Sequence, residues 1–131
     1  MIKVDVKRCL LAIMFFIFIA FSAFGIHAQT EKNLPKFIDL GADGCLPCKL
    51  MKPILRELQS EYAGSLIVEV IDIHKNPSLG KKYNVRFIPT QIFYDKNGKE
   101  LYRHTGFMSK KDILKTFERF GIILKKTPTK N

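Results

Sequence analysis

The chain has 131 residues, with 22 Lys plus Arg against 12 Asp plus Glu, a net charge of +10, three Cys and no Trp. That length accommodates one ordinary domain, and the composition excludes a cysteine-dense scaffold and a Gly/Ser-rich low-complexity chain. The basic excess falls at Lys81-Lys82, Lys110-Lys111 and Lys125-Lys126. It lacks the aromatic-interleaved stripe of a nucleic-acid groove, so it reads as solvated surface, open to acidic membrane surfaces or an acidic partner, with no nucleic acid expected.

Residues 1–28 read as an export signal. Lys3, Lys7 and Arg8 precede an apolar run from Leu10 to Phe21, Gly25 breaks it, and Ala28 offers a small residue for cleavage before Gln29. An apolar stretch of about 15 residues falls short of the roughly 20 that span a bilayer, although residues 10–26 retained as a tether are the rival reading. The protein is therefore expected outside the cytoplasm, in a periplasm or its equivalent. Cys9 lies before the apolar run and is read as incidental.

After a short lead over residues 29–34, Pro35 to Gly41 is an apolar run bounded by breakers, the pattern of a buried strand, with Asp39 as an anomaly inside it. Met51, Ile54, Leu55, Leu58 and Tyr62 recur at three- and four-residue spacing and predict a helix from Leu46 to Tyr62, kinked at Pro53. Leu66 to Ile73 predicts a second buried strand, parallel to the first across the intervening helix. Asn76-Pro77 supplies a cap and a first-turn proline for a short helix to about Tyr83. Thr90 to Tyr94 and Glu100 to His104 flank Asn97-Gly98, a hairpin signal. Ser109 and Asp112 resemble a capping box for a last helix striped by Ile113, Leu114, Phe117 and Phe120 and ended by Gly121. Residues 125–131 read as a loose basic tail. The order β-α-β-α-β-β-α predicts an α/β domain over residues 35–124, with a mixed sheet of about four strands and helices on both faces.

Cys45-Leu46-Pro47-Cys48 sits at the junction of the first strand and first helix. A thiol at a helix N-terminus faces unpaired backbone N–H groups and the positive end of the macrodipole, which favour thiolate. Cys45 is thus the expected nucleophile, and Cys48, one turn along, the thiol that resolves a mixed disulfide. Zinc binding needs four ligands, and beyond the pair only His27, His74 and His104 are on offer. A purely structural clip constrains little, because the loop it closes is tiny.

The stretch Phe37-Ile-Asp-Leu-Gly-Ala-Asp-Gly-Cys-Leu-Pro-Cys-Lys, with Pro53, Ile88-Pro89-Thr90 and Gly106, resembles the thioredoxin family, and the resemblance extends to the final helix. It implies a thioredoxin fold, and the few residues between Ala28 and the first core strand predict a pared-down version without the extra N-terminal strand and helix. It also implies that Asp39 accepts a proton from Cys48, unless it is a buried acid serving packing alone. Pro89 would be a cis proline whose neighbour Ile88 pairs with an extended substrate, with Thr90 beside it and Gly106 near the same groove. Two positions depart from the family pattern: Gly44 stands where a tryptophan usually precedes the first cysteine, and Val70 where a lysine often lies near the buried acid. Met51, Phe87, Phe93, Phe107, Phe117 and Phe120 are expected to pack in the core or line the groove.

Leu46-Pro47 offers no charge or polar side-chain donor between the cysteines, which favours a reductant over an oxidant. The expectation is a monomeric protein-disulfide reductase for exported clients, with no cofactor beyond its own Cys45-Cys48 disulfide and a membrane thiol carrier as electron donor. A redox-inactive peptide-binding module and a Cu(I) carrier are the alternatives.

Overall fold

The computed structural model describes residues 33–128. The chain divides between Glu31 and Lys32 into two units, and the second is the domain described below. The expected export signal, its cleavage before Gln29, Cys9 and His27 lie outside the described residues.

Seven elements follow in chain order: β1 (Lys36–Gly41), α1 (Leu46–Glu61), β2 (Ile67–Asp72), α2 (Pro77–Lys82), β3 (Thr90–Tyr94), β4 (Glu100–Thr105) and α3 (Lys110–Arg119). The sheet order is β2-β1-β3-β4, with β1 parallel to β2 and antiparallel to β3, and β3 antiparallel to β4. This is the expected mixed α/β sheet. Alternation along β1 sends Phe37 and Asp39 to one face and Ile38 and Leu40 to the other, and both faces are buried. On the first face Phe37 and Phe93 pack with Met51, Leu55 and Leu58 of α1 and Ile113 and Phe117 of α3. Opposite, Ile38, Leu40 and Ile92 pack with Ile73, Tyr83 and Val85 around α2.

Local chemistry accounts for the boundaries. Pro53 lies inside α1 and removes one backbone donor, yet the helix runs on because its buried stripe anchors both halves. Asn76 precedes α2 as expected but makes no side-chain cap, and its Nδ2 donates to the Asp72 carbonyl instead. Asp95 accepts from the Asn97 and Lys99 N–H groups, and Gly98 takes φ +80°, closing the β3–β4 hairpin. Ser109 Oγ accepts from the Asp112 N–H to cap α3, and Gly121 at φ +75° ends it.

Three expectations need correction. The loose tail is fastened through Thr127: Lys125 N–H donates to Ser65 Oγ, and Thr127 donates from N–H to the Glu61 carbonyl and from Oγ1 to the Ala63 carbonyl. Backbone groups there satisfy the end of α1, a role that hydrophobic patterning does not reveal. Leu66 to Ile73, read as a buried strand, forms β2 at the edge of the sheet, where one side has no neighbouring strand among the described residues, and it is only half-buried with Val70 exposed. Of the residues expected in the core or along the groove, Met51, Phe93 and Phe117 are buried, and Phe87, Phe107 and Phe120 are exposed. Phe120 falls at the C-cap of α3, where it stacks with Tyr102 and Arg119 at the rim.

Candidate active site

Four segments meet at the end of the sheet where β1 stops. The chain leaves β1 at Gly41 and turns through Ala42, whose carbonyl accepts from the Cys45 N–H at 3.2 Å. Cys45 is the N-cap of α1, and its Sγ accepts from the Cys48 N–H at 3.2 Å. That bond satisfies one of the donors a helix start leaves open, and it places sulfur at the positive end of the helix. Cys45 and Cys48 are joined as a disulfide with Cα atoms 5.2 Å apart. Cys45 is half-buried and Cys48 buried, so the first sulfur is the accessible one.

Cys48 rests directly on Gly41. A Cβ placed on Gly41 would come within 3.1 Å of Cys48 Sγ and 3.8 Å of Asp39 Oδ2. The thiol position and the carboxylate therefore border the same space, kept open by the missing side chain. Asp39 itself is 2 % exposed, and burial raises its carboxyl to about 6, opposed by a hydrogen bond from Gln91. Gln91 Nε2 donates to Asp39 Oδ1 at 2.8 Å. An acid raised in this way can exchange a proton near neutral pH.

A small cavity of about 50 Å³ adjoins the pair, lined among others by Asp39, Gly41, Asp43, Cys48, Lys52 and Val70. Val70 is the register partner of Asp39, so the position read as replacing a lysine does stand beside the acid. Lys52 lines the same cavity from α1, but its Nζ is held by Asp43 Oδ1 at 2.9 Å. Asp43 Oδ2 takes Lys75 Nζ at 2.6 Å, and these two lysines, Lys75 first, hold the Asp43 carboxyl down at about 2. This bridge ties the loop before Cys45 to the β2–α2 turn. Gly44, which stands where the family pattern has a tryptophan, faces open space.

The fourth segment is the entry to β3. The Ile88–Pro89 peptide is cis, Pro89 is buried, and its carbonyl accepts from the Gly106 N–H at 2.8 Å. Thr90 Oγ1 donates to the Phe87 carbonyl at 2.6 Å, and Gly106 takes φ +102°, where a side chain would be strained. Leu40 pairs with Thr90, so Pro89 stands at the same sheet end as Gly41 and the helix mouth. The structure thus gathers Asp39, Cys45, Cys48, Ile88, Pro89, Thr90 and Gly106 at that end. His74 and His104 lie apart, in the β2–α2 turn and on β4, and among the described residues no group of three or more metal-ligating side chains is assembled.

Sequence reading missed Gln91, Gly41 and the Lys52–Asp43–Lys75 bridge. A Gln inside the apolar run Thr90 to Tyr94 is the one signal that was available, and it parallels the anomaly of Asp39 in β1.

The thioredoxin family profile matches residues 22–119, a span that begins within the stretch read as the export signal. The chain belongs to the thioredoxin family. It is 34% identical over 98 residues to a thioredoxin of Staphylococcus saprophyticus, covering 75% of this chain and 90% of that protein. It is 33% identical over 90 residues to the chloroplastic M-type thioredoxin of Spinacia oleracea, covering 69% of this chain and 49% of the spinach protein, about half its length. Among solved structures, chloroplastic thioredoxin z superposes with a TM-score of 0.62 at 25% identity, covering 69% of this chain and 80% of that one. Membership of the thioredoxin family, with a Cys45-Cys48 disulfide at the helix mouth, identifies a thiol-disulfide oxidoreductase.

Proposed function

We propose that this thioredoxin-family protein is a protein-disulfide reductase for exported clients, with Cys45 as nucleophile, Cys48 as resolving thiol and Asp39 as proton acceptor. The observation that carries the reading is the asymmetry of the pair. Cys45 is half-buried and its Sγ accepts from a helix N-terminal N–H, whereas Cys48 is buried with its Sγ against Gly41 on the Asp39 side. In the reduced protein the Cys45 thiolate attacks one sulfur of a client disulfide, forms a mixed disulfide and expels the other client sulfur as thiolate. Cys48 then gives its proton to Asp39 and attacks Cys45 Sγ. The second client sulfur leaves, and two electrons have passed from the pair to the client.

Leu46-Pro47 supports the reducing direction, because neither side chain adds a charge or donor that would stabilise the reduced thiolate further. Ile88, Thr90 and Gly106 would receive the client as an extended segment beside Pro89. Residues 1–28 support an extracytoplasmic site of action, with a membrane thiol carrier restoring the dithiol. No helix among the described residues is long and apolar enough to cross a membrane. Equilibration with redox buffers tests the direction. A potential near about -270 mV is expected of a reductant, and one near about -120 mV would make the protein an oxidant.

A further inference from the structure

Gln91 is a buried polar side chain for which the exchange chemistry above has no use. It is 0% exposed, sits opposite Asp39 in the β1–β3 ladder, and shares the α1 face of the sheet with it. The amide Nε2 donates to Asp39 Oδ1, while the amide Oε1 is buried with no hydrogen-bond partner among the described residues. A residue serving packing alone would be apolar at this position, as its neighbours Ile92 and Phe93 are. The amide is therefore justified by Asp39.

Its geometry divides the two carboxylate oxygens. Oδ1 is engaged by Gln91, and Oδ2 borders the space over Gly41 that Cys48 Sγ also borders. We propose that Gln91 is a positioning residue for the resolving step: it holds Asp39 Oδ1 so that Oδ2 is presented to Cys48 as the proton acceptor. By donating to the carboxylate it also keeps Asp39 ionised to lower pH than burial alone would allow. The other groups around Asp39 do not duplicate this contact. From α1 come Cys48 and Lys52, from the preceding loop Asp43, and from β2 Asp72, all lining the adjoining cavity. Lys52 and Lys75 are committed to Asp43. His104, the register partner of Gln91 on β4, has Nε2 3.3 Å from the Phe107 carbonyl.

The inference rests on Asp39 being the proton acceptor, and the test separates the two. In the full chain carrying Cys9→Ser, the reduced protein is mixed with 5,5′-dithiobis(2-nitrobenzoate). The second thionitrobenzoate released reports attack by Cys48, followed from pH 5 to 9 alongside the carboxyl titration of Asp39 by carbon NMR. Gln91→Leu and the length-matched Gln91→Met should each move the Asp39 midpoint up by about one pH unit, slowing resolution about fivefold at pH 6 and less than twofold at pH 9. An unmoved midpoint and an unmoved pH profile in either folded variant overturn the role of Gln91. If Asp39→Asn leaves the profile of the resolving step unchanged, Asp39 is not the acceptor and the underlying reading fails instead.

Discussion

Gly41 lies flat against Cys48: a Cβ on Gly41 would stand 3.1 Å from the Cys48 Sγ and 3.2 Å from its Cβ. Both distances are tighter than ordinary packing, and one contact is with the body of a buried residue at a helix start. Gly41→Ala should therefore push α1 off the end of β1, lowering stability by about 1–2 kcal/mol in urea denaturation. It also fills the space between Cys48 and Asp39, so resolution of a mixed disulfide should slow even where the protein remains folded. Unchanged stability and unchanged resolution would show that the helix mouth has room that the geometry denies.

Asp39 gives the oxidised protein a pH dependence of definite sign. Its carboxyl is raised from 3.8 to about 6 by burial, so the folded chain holds a proton that the unfolded chain has already lost. Below pH 3.8 both states are protonated and the group is neutral in its effect; above about pH 6 the folded state bears a buried charge, a penalty of about 3 kcal/mol. Asp39→Asn should thus stabilise the oxidised form at pH 8 by up to about 3 kcal/mol and change it little at pH 3.5. Paired denaturation curves at those two pH values measure the difference. A variant that is equally stable relative to the parent at both would contradict the raised carboxyl.

The aromatic cluster beneath the sheet is the second determinant of stability. Phe93 meets Phe37 at 4.9 Å and Phe117 at 5.0 Å between ring centroids, in edge-on and tilted arrangements. All three are buried where β1, β3 and α3 converge. Phe93→Ala should lower the unfolding free energy by about 3–5 kcal/mol, the range for a buried aromatic truncated to a cavity. Phe87→Ala, on an exposed ring, should change it by less than about 0.5 kcal/mol. Guanidinium denaturation of the two variants side by side checks the contrast.

Deleting residues 125–131 removes the backbone and hydroxyl donors that reach Ser65, Ala63 and Glu61, and the Lys126 contact to Glu61 at 2.8 Å. These contacts are exposed, so the loss should be modest, about 1–2 kcal/mol, and felt at the C-terminal end of α1. Faster amide exchange at that helix end, with the Cys45 end unaffected, is the expected signature.

Much of this was legible in the residues. Period-three-and-four spacing marks α1 because its apolar stripe must meet the sheet, and Asn97-Gly98 marks the hairpin because the turn needs positive φ. Asp39 was conspicuous as an acid in an apolar strand. Gln91 was not tied to it, because the pairing of Asp39 with Gln91 is a property of two segments 52 residues apart, fixed only when β1 and β3 align. Gly41 was hidden for a similar reason, since its close approach to Cys48 depends on how α1 docks. The tail escaped notice because backbone donors hold it in place, and those are invisible to hydrophobic periodicity.

The unequal roles of Cys45 and Cys48 can be tested by mass spectrometry after the Cys9→Ser protein, further changed at either cysteine, is incubated with a disulfide-linked peptide. Cys48→Ser should accumulate a stable mixed disulfide on Cys45, and Cys45→Ser should form almost none on the buried Cys48. Equal trapping by both variants, or a mixed disulfide found on Cys48 alone, would contradict the assignment of nucleophile and resolving thiol.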